Sequence, residues 1–324
     1  MADSPFQATA FVQRPPSYTV PAFSLPLSVA GYFGGGIDTG NARLSGIDKI
    51  TFLADTKTTL SPTLTSARNG PAGMANSGVA GYFGGGNDGT NFHNNTDKIT
   101  FPADTKTTIS AVLTTAVFAL AGMSNSAVAG YFGGGEDSVG TLTRINKITF
   151  PADSMTTLSP TLSNAKEFLA GMANSGVAGY FGGGTGATQY KDIDKITFPA
   201  DTKTTLSAEL SGLNYQLAAM ANSGVAGYFG GGQVGANNVK YIDKITFPAD
   251  TKTTISAELT GNNNNLAAMA NSGTAGYFGG GTRVSTKTDE IDKITFPADT
   301  KTTLSVFLTS ARAGFAGMAD SGVL

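Results

Sequence analysis

The hexapeptide Gly-Tyr-Phe-Gly-Gly-Gly begins at Gly31, Gly81, Gly130, Gly179, Gly227 and Gly276, at intervals of 48 to 50 residues. Each copy sits in a longer unit. In the copy from Leu169 it reads LAGMANSGVAGYFGGG, then a loop, then IDKITFPADTKTTLSAEL. A period in this range marks a repeat architecture, in which each unit buries its apolar surface against its neighbours.

Each unit contains four strand-like segments. In the copy from Leu169 the first is Leu169 to Ser175, rich in Ala and Gly. Asn174-Ser175-Gly176 is a turn signal, and the second segment runs from Val177 to Phe181 before the glycines. A loop of changing sequence follows, then a third segment, Ile193 to Phe198. After the turn Pro199-Ala200-Asp201, a fourth runs from Lys203 to Leu210, with Thr204, Leu206, Ala208 and Leu210 alternating with polar residues. That alternation has the period of a strand. The small first segment suits a crowded central position, and the polar fourth suits an outer edge. Four short antiparallel strands per unit describe one propeller blade, so six copies predict an all-β, six-bladed β-propeller over residues 27–324.

The chain ends suggest how such a ring would close. The last unit stops at FAGMADSGVL, a first segment with nothing after it. The first begins at Leu27-Ser28-Val29-Ala30, a second segment with nothing before it. The C-terminal residues are therefore expected to supply the inner strand of the first blade, leaving no open edge.

The unit resembles the kelch repeat over residues 25–324: a strand of small residues, then an aromatic strand ending in glycines (Tyr180-Phe181-Gly182-Gly183), then an aromatic-containing third strand. It departs from kelch in having no Trp near the fourth strand, where Thr204-Thr205-Leu206 stands. A narrower resemblance, carried by the GYFGGG and DKITF elements, is to repeat-containing virion proteins of tailed phages, notably those of cyanobacteria. It implies a structural or host-contact role in a virion, such as a tail fibre, a baseplate or a decoration of the capsid.

Residues 1–26 stand outside the repeat. Five prolines there are interleaved with Phe6, Phe11, Tyr18 and Phe23. Proline fixes φ and removes a donor, so an extended arm is expected. The aromatics favour an arm laid on a neighbouring subunit or another virion protein over a solvated tail. Such a chain is also compatible with a homo-oligomer.

Composition narrows the function classes. Net charge is -2 and charged residues make up 14%, with no basic patch to track phosphates, so nucleic acid is not an expected partner. No apolar run is long enough to predict a membrane span, and the N-terminus lacks the pattern of a signal peptide. A virion protein assembled in the host cytoplasm needs none. Cysteine is absent, and no His/Cys metal spacing or cofactor motif occurs. The single histidine, His93, lies in a variable loop with no motif placing a nucleophile and a carboxylate beside it. The GGG runs lack the lysine and the following helix of a phosphate loop. The acidic pairs Glu136-Asp137 and Asp289-Glu290 show no ordered set of calcium ligands. No enzyme is expected.

The six copies differ mainly on one side. The turn after the first segment and the Ala-Asp turn at Asp55, Asp104, Asp153, Asp201, Asp250 and Asp299 barely change. The loops after the glycines do, and they hold His93, Tyr190, Tyr241 and Arg283. So do the triplets that join one unit to the next: Arg68-Asn69-Gly70, Val117-Phe118-Ala119, Lys166-Glu167-Phe168, Asn214-Tyr215-Gln216, Asn263-Asn264-Asn265 and Arg312-Ala313-Gly314. In an up-and-down blade these two variable sets share one face. Unconstrained drift would produce such variation, although the opposite face also consists of turns and stays nearly fixed. The functional alternative is a face that contacts an asymmetric partner, a host-surface glycan or protein, through adaptable Asn, Tyr, Arg and Gln side chains. A cellular carbohydrate-binding propeller would use the same face. The repeated charges are expected to be structural: Asp201 capping its own turn, Lys203 exposed on the outer strand, and Asp194-Lys195 a polar feature of the third strand.

Overall fold

The computed structural model describes residues 30–320. Each repeat there contributes to a four-stranded antiparallel sheet, and six such sheets form an all-β, propeller-like arrangement with no helix among the described residues. In the fourth repeat the strands are Ala170–Asn174, Ala178–Gly182, Ile193–Thr197 and Thr202–Thr205, paired in that order. In the first sheet, Ala316–Ala319 from the far end of the chain pairs with Ala30–Gly34, placing Met318 opposite Tyr32. Among the described residues no helix is long and apolar enough to cross a membrane. The expected arm, with Phe6, Phe11, Tyr18 and Phe23, lies outside the described residues.

The core lies between the sheets. Successive side chains of a strand point to opposite faces, so Tyr180 packs on Phe229, Ile245 and Phe247 of the next repeat, while Phe181 packs on Tyr131 and Ile145 of the preceding one. Six clusters of this kind occur, and one of them joins Tyr277 of the last repeat to Phe33 and Phe52 of the first. Burying one Phe or Met is worth roughly 1.5–3 kcal/mol, so the apolar stabilisation accrues where repeats meet. The first glycine of the hexapeptide makes this approach close enough. A Cβ on Gly179 would lie 2.2 Å from Sδ of Met123 in the preceding repeat. The inner strands touch likewise: a Cβ on Gly171 would lie 2.4 Å from the Gly122 carbonyl oxygen.

The outer strand is shorter than its alternation predicts. It ends at Thr205, and the chain turns back towards the axis with Leu206 half-buried and Leu210 buried at 3% exposure. The residues after Thr205 must carry the chain from the rim to the next inner strand, so these leucines serve the core rather than a longer strand.

The repeated charges also differ from expectation. Asp201 does not use its side chain to cap its own turn. It accepts hydrogen bonds from the Tyr131 hydroxyl at 2.7 Å and from Lys147 Nζ at 2.6 Å, both in the preceding repeat. The same pair of bonds reaches Asp55, Asp104, Asp153, Asp250 and Asp299, with Asp55 tied to Tyr277 and Lys293 of the last repeat. Burial first, then the bond to Asp201, pushes the Tyr131 phenol far above its ordinary value. Lys203 is only part-exposed and donates to Ser163 of the preceding repeat. The near-invariant Asn-Ser-Gly turn is a link as well: Ser126 N donates to Ser175 Oγ at 3.0 Å, and Gly176 N to Asn125 Oδ1 at 2.9 Å.

Candidate functional site

The connecting triplets gather around the axis on the variable side, and each of their three positions does a different job. The first faces inward. Arg68, Lys166, Arg312, Asn214 and Asn263 are all buried, which corrects their expected place on an exposed binding surface. Asn214 and Asn263 donate to the carbonyls of Gly231 and Gly280, whereas the three cations meet the third-strand aspartate of the following repeat, expected to be an ordinary polar position. Arg68 Nη2 lies 2.8 Å from Asp97, Arg312 Nη2 lies 2.7 Å from Asp48, and Lys166 Nζ lies 3.6 Å from Asp194 and 2.7 Å from Asp192. Asp97 and Asp194 are themselves fully buried. Burial alone would raise the Asp97 carboxyl. The hydroxyl and backbone amide of Thr65, the Arg68 charge and the Thr108 hydroxyl outweigh it, so the group titrates below its ordinary 3.8. A depressed carboxyl contributes stability that is complete above its unfolded value and lost as pH falls through the folded one.

One repeat has no such charge. Val117 replaces the cation, Asn146 replaces the aspartate, and Met155 replaces the lysine that elsewhere approaches it. Thr114 and Thr157 still donate to Asn146 Oδ1, at 2.7 and 3.1 Å. The three replacements are matched, because a buried carboxylate without its cation would be costly.

The third position holds the backbone. Gly70, Ala119, Phe168, Gln216, Asn265 and Gly314 all have φ between 51° and 63°. Each N–H donates to the carbonyl of the equivalent residue in the preceding repeat: Ala119 to Gly70, Phe168 to Ala119, Gln216 to Phe168, Asn265 to Gln216, Gly314 to Asn265, and Gly70 to Gly314. The distances run from 2.6 to 3.0 Å. These bonds explain why the triplets never change length.

The second and third side chains line a depression over this ring, with a volume of about 220 Å³. Phe118 stands edge-on to Phe168 at 5.4 Å between ring centroids and stacks on Phe92. The rest of the rim carries Gln216, Asn265 and Asn69, with Thr282 and Lys287 from a neighbouring loop. Leu120, Leu169, Leu217, Leu266 and Phe315 lie beneath. Asn264 Nδ2 donates to the side-chain oxygens of Gln216 and Gln233, at 2.9 and 3.0 Å. The buried oxygens Asn69 Oδ1, Asn264 Oδ1 and Glu167 Oε2, all at the second position, have no hydrogen-bond partner among the described residues.

The other expected residues are spread around this centre. Tyr215 is half-buried opposite Gln233. Tyr190 lies under Lys166, 5.8 Å from Nζ to the ring centroid. Arg283 pairs with Glu290. The buried Tyr241 hydroxyl has no partner among the described residues, and burial, with Asp243 nearby, pushes it up to about 12. His93 contacts Asp88 at 3.1 Å and Ser66 at 3.4 Å, both through Nε2. A Ser-His-Asp relay needs the two partners on opposite ring nitrogens, so this trio is not one. Ile37, Phe92, Gln233, Thr282 and Lys287 were not expected at the site, although they lie in the variable loops.

Glu167 is shifted in the opposite direction from Asp97. Burial, then the charge of Glu136 and a hydrogen bond with it, pushes Glu167 up to about 7 from 4.5. A raised carboxyl favours the folded state most below its unfolded value, and that advantage is lost as pH rises towards 7. Glu167→Gln is therefore expected to melt at a higher temperature than the parent at pH 8, with the gap closing by pH 4.5. Equal gaps at both pH values would show that the pair does not repel.

No protein-family model matches the chain, and no curated protein is significantly similar to it.

Proposed function

We propose that the chain is a kelch-like, six-bladed β-propeller whose C-terminal inner strand completes the first blade, and that it is a non-enzymatic structural protein of a tailed-phage virion. The Pro- and aromatic-rich segment of residues 1–26 joins it to other virion proteins, and the variable face contacts the host surface. Six four-stranded sheets, and inter-repeat bonds that link the sixth repeat to the first, support the blade count and the closure. The virion role rests on the resemblance carried by GYFGGG and DKITF.

The observation that carries the contact face is the contrast between the two sides. The constant side commits its Ser, Asn, Tyr, Lys and Asp groups to neighbouring repeats. On the variable side the backbone is held just as strictly, with one left-handed residue in each of the six triplets, yet the side chains there include Gly, Ala, Phe, Gln and Asn. Relaxed backbone demands therefore do not account for the variation. That side also keeps unpartnered oxygens and half-exposed aromatics.

Mass spectrometry of purified phage particles from the source of the sequence, together with adhesion of the purified full chain to host cells, tests the proposal. The protein is expected in the particles, and the full chain is expected to coat the cells. Absence from the particles with adhesion retained would replace the virion role with that of a carbohydrate-binding protein. Absence of both would overturn the proposal.

A further inference from the structure

Resting on that contact face, we infer that the central depression is a binding site for a single sugar ring, the terminal residue of a surface glycan. Its volume of about 220 Å³ lies below the roughly 300 Å³ at which pockets for drug-sized ligands begin. The leucine layer beneath sets its floor, so a chain cannot thread into it.

The lining selects among small ligands by chemistry. An apolar ligand would desolvate the amides of Gln216, Asn265 and Asn69 without replacing their hydrogen bonds, which is unfavourable. A cation would find no carboxylate, because none lines the depression. An anion would find one ammonium, Lys287, which already donates to Asn41 Oδ1 at 3.1 Å. A sugar ring meets both halves of the lining. Its C–H face is apolar and suits Phe118 and Phe168, while its hydroxyls both donate and accept. The Asn69 amide lines the depression, and its Oδ1 is buried there without a partner among the described residues. Gln216 gives its oxygen to Asn264, which leaves its NH2 group as donor. Aromatics and amides together fix the orientation of such a ring.

The third-position residues allow a clean test, because two of them are already glycine. Gly70 and Gly314 hold the same left-handed backbone, at φ 61° and 62°, as Phe168 and Asn265, at 52° and 53°. Phe168→Gly and Asn265→Gly should therefore remove a side chain and keep the ring of bonds. Saturation-transfer NMR of the full chain would be run with the methyl glycosides of glucose, galactose, mannose and N-acetylglucosamine, alongside adhesion of the same preparations to host cells. At least one glycoside is expected to bind with Kd of about 1 mM. Each variant should weaken it tenfold or more with an unchanged melting temperature. Adhesion of the parent to cells with no glycoside bound would overturn the sugar site and leave the contact face standing. Glycoside binding that both variants retain would also overturn it, by placing the site elsewhere. Neither adhesion nor glycoside binding would remove both inferences.

Discussion

Arg68→Ala is expected to cost about 3–5 kcal/mol of stability, because it removes the buried cation from the Asp97 carboxylate and leaves only the part-exposed Lys106, 3.4 Å away. Both side chains of this pair are fully buried. The neutral repeat shows how the loss should be repaired. Combining Arg68→Val with Asp97→Asn and Lys106→Met reproduces Val117, Asn146 and Met155. Thr65 and Thr108 already donate to Asp97 as Thr114 and Thr157 do to Asn146. The triple variant should therefore recover most of what the single variant loses. Urea denaturation of the parent, the single and the triple variants gives both numbers. A triple variant no more stable than Arg68→Ala would show that the matched residues are not interchangeable sets.

Deleting Phe315 to Leu324 should abolish the cooperative melting transition. Phe315 and Met318 are buried in inter-repeat clusters, and Met318 occupies the space left by Gly81. Losing a buried Phe costs about 3–5 kcal/mol and a buried Met about 2–5 kcal/mol. Their sum is comparable with the whole stability of a typical domain, about 5–15 kcal/mol. The deletion also strips backbone partners from Ala30–Gly34. A calorimetric trace like that of the parent would mean that this strand pairing contributes little.

Much of the fold is legible because its period is. Segment lengths, turn residues and the incomplete units at the two ends all point to four strands per repeat and to the partner of Ala30–Gly34. The misread residues share a cause: their partners lie in another repeat. Asp201, as a turn cap or as the acceptor for Tyr131 and Lys147, would stand in the same local sequence. Arg68 and Lys166 look like surface cations until their burial is known. A signal was nevertheless present. Arg68 stands 29 residues before Asp97, and Val117 stands 29 before Asn146. A cation at the first position goes with an aspartate in three repeats and Val117 goes with Asn146, but Asn214 and Asn263 also precede Asp243 and Asp292 by 29 residues, so the signal is partial. The ring of backbone bonds left only its constant length as a trace, since Phe168 and Gln216 are not residue types that announce a left-handed backbone.

That ring has an electrical consequence. Each peptide unit carries a dipole of about 3.5 D, and in a helix these units align and present partial charge at an end. Here the donors follow one another head to tail around the rim, from Gly70 through Gly314 and back. Their components along the rim sum to zero. The mouth is framed by oriented amides yet gains no pole from their circulation. A ligand at the proposed site would be chosen on contact by Phe118, Phe168 and the amide side chains, not drawn in from a distance by the backbone.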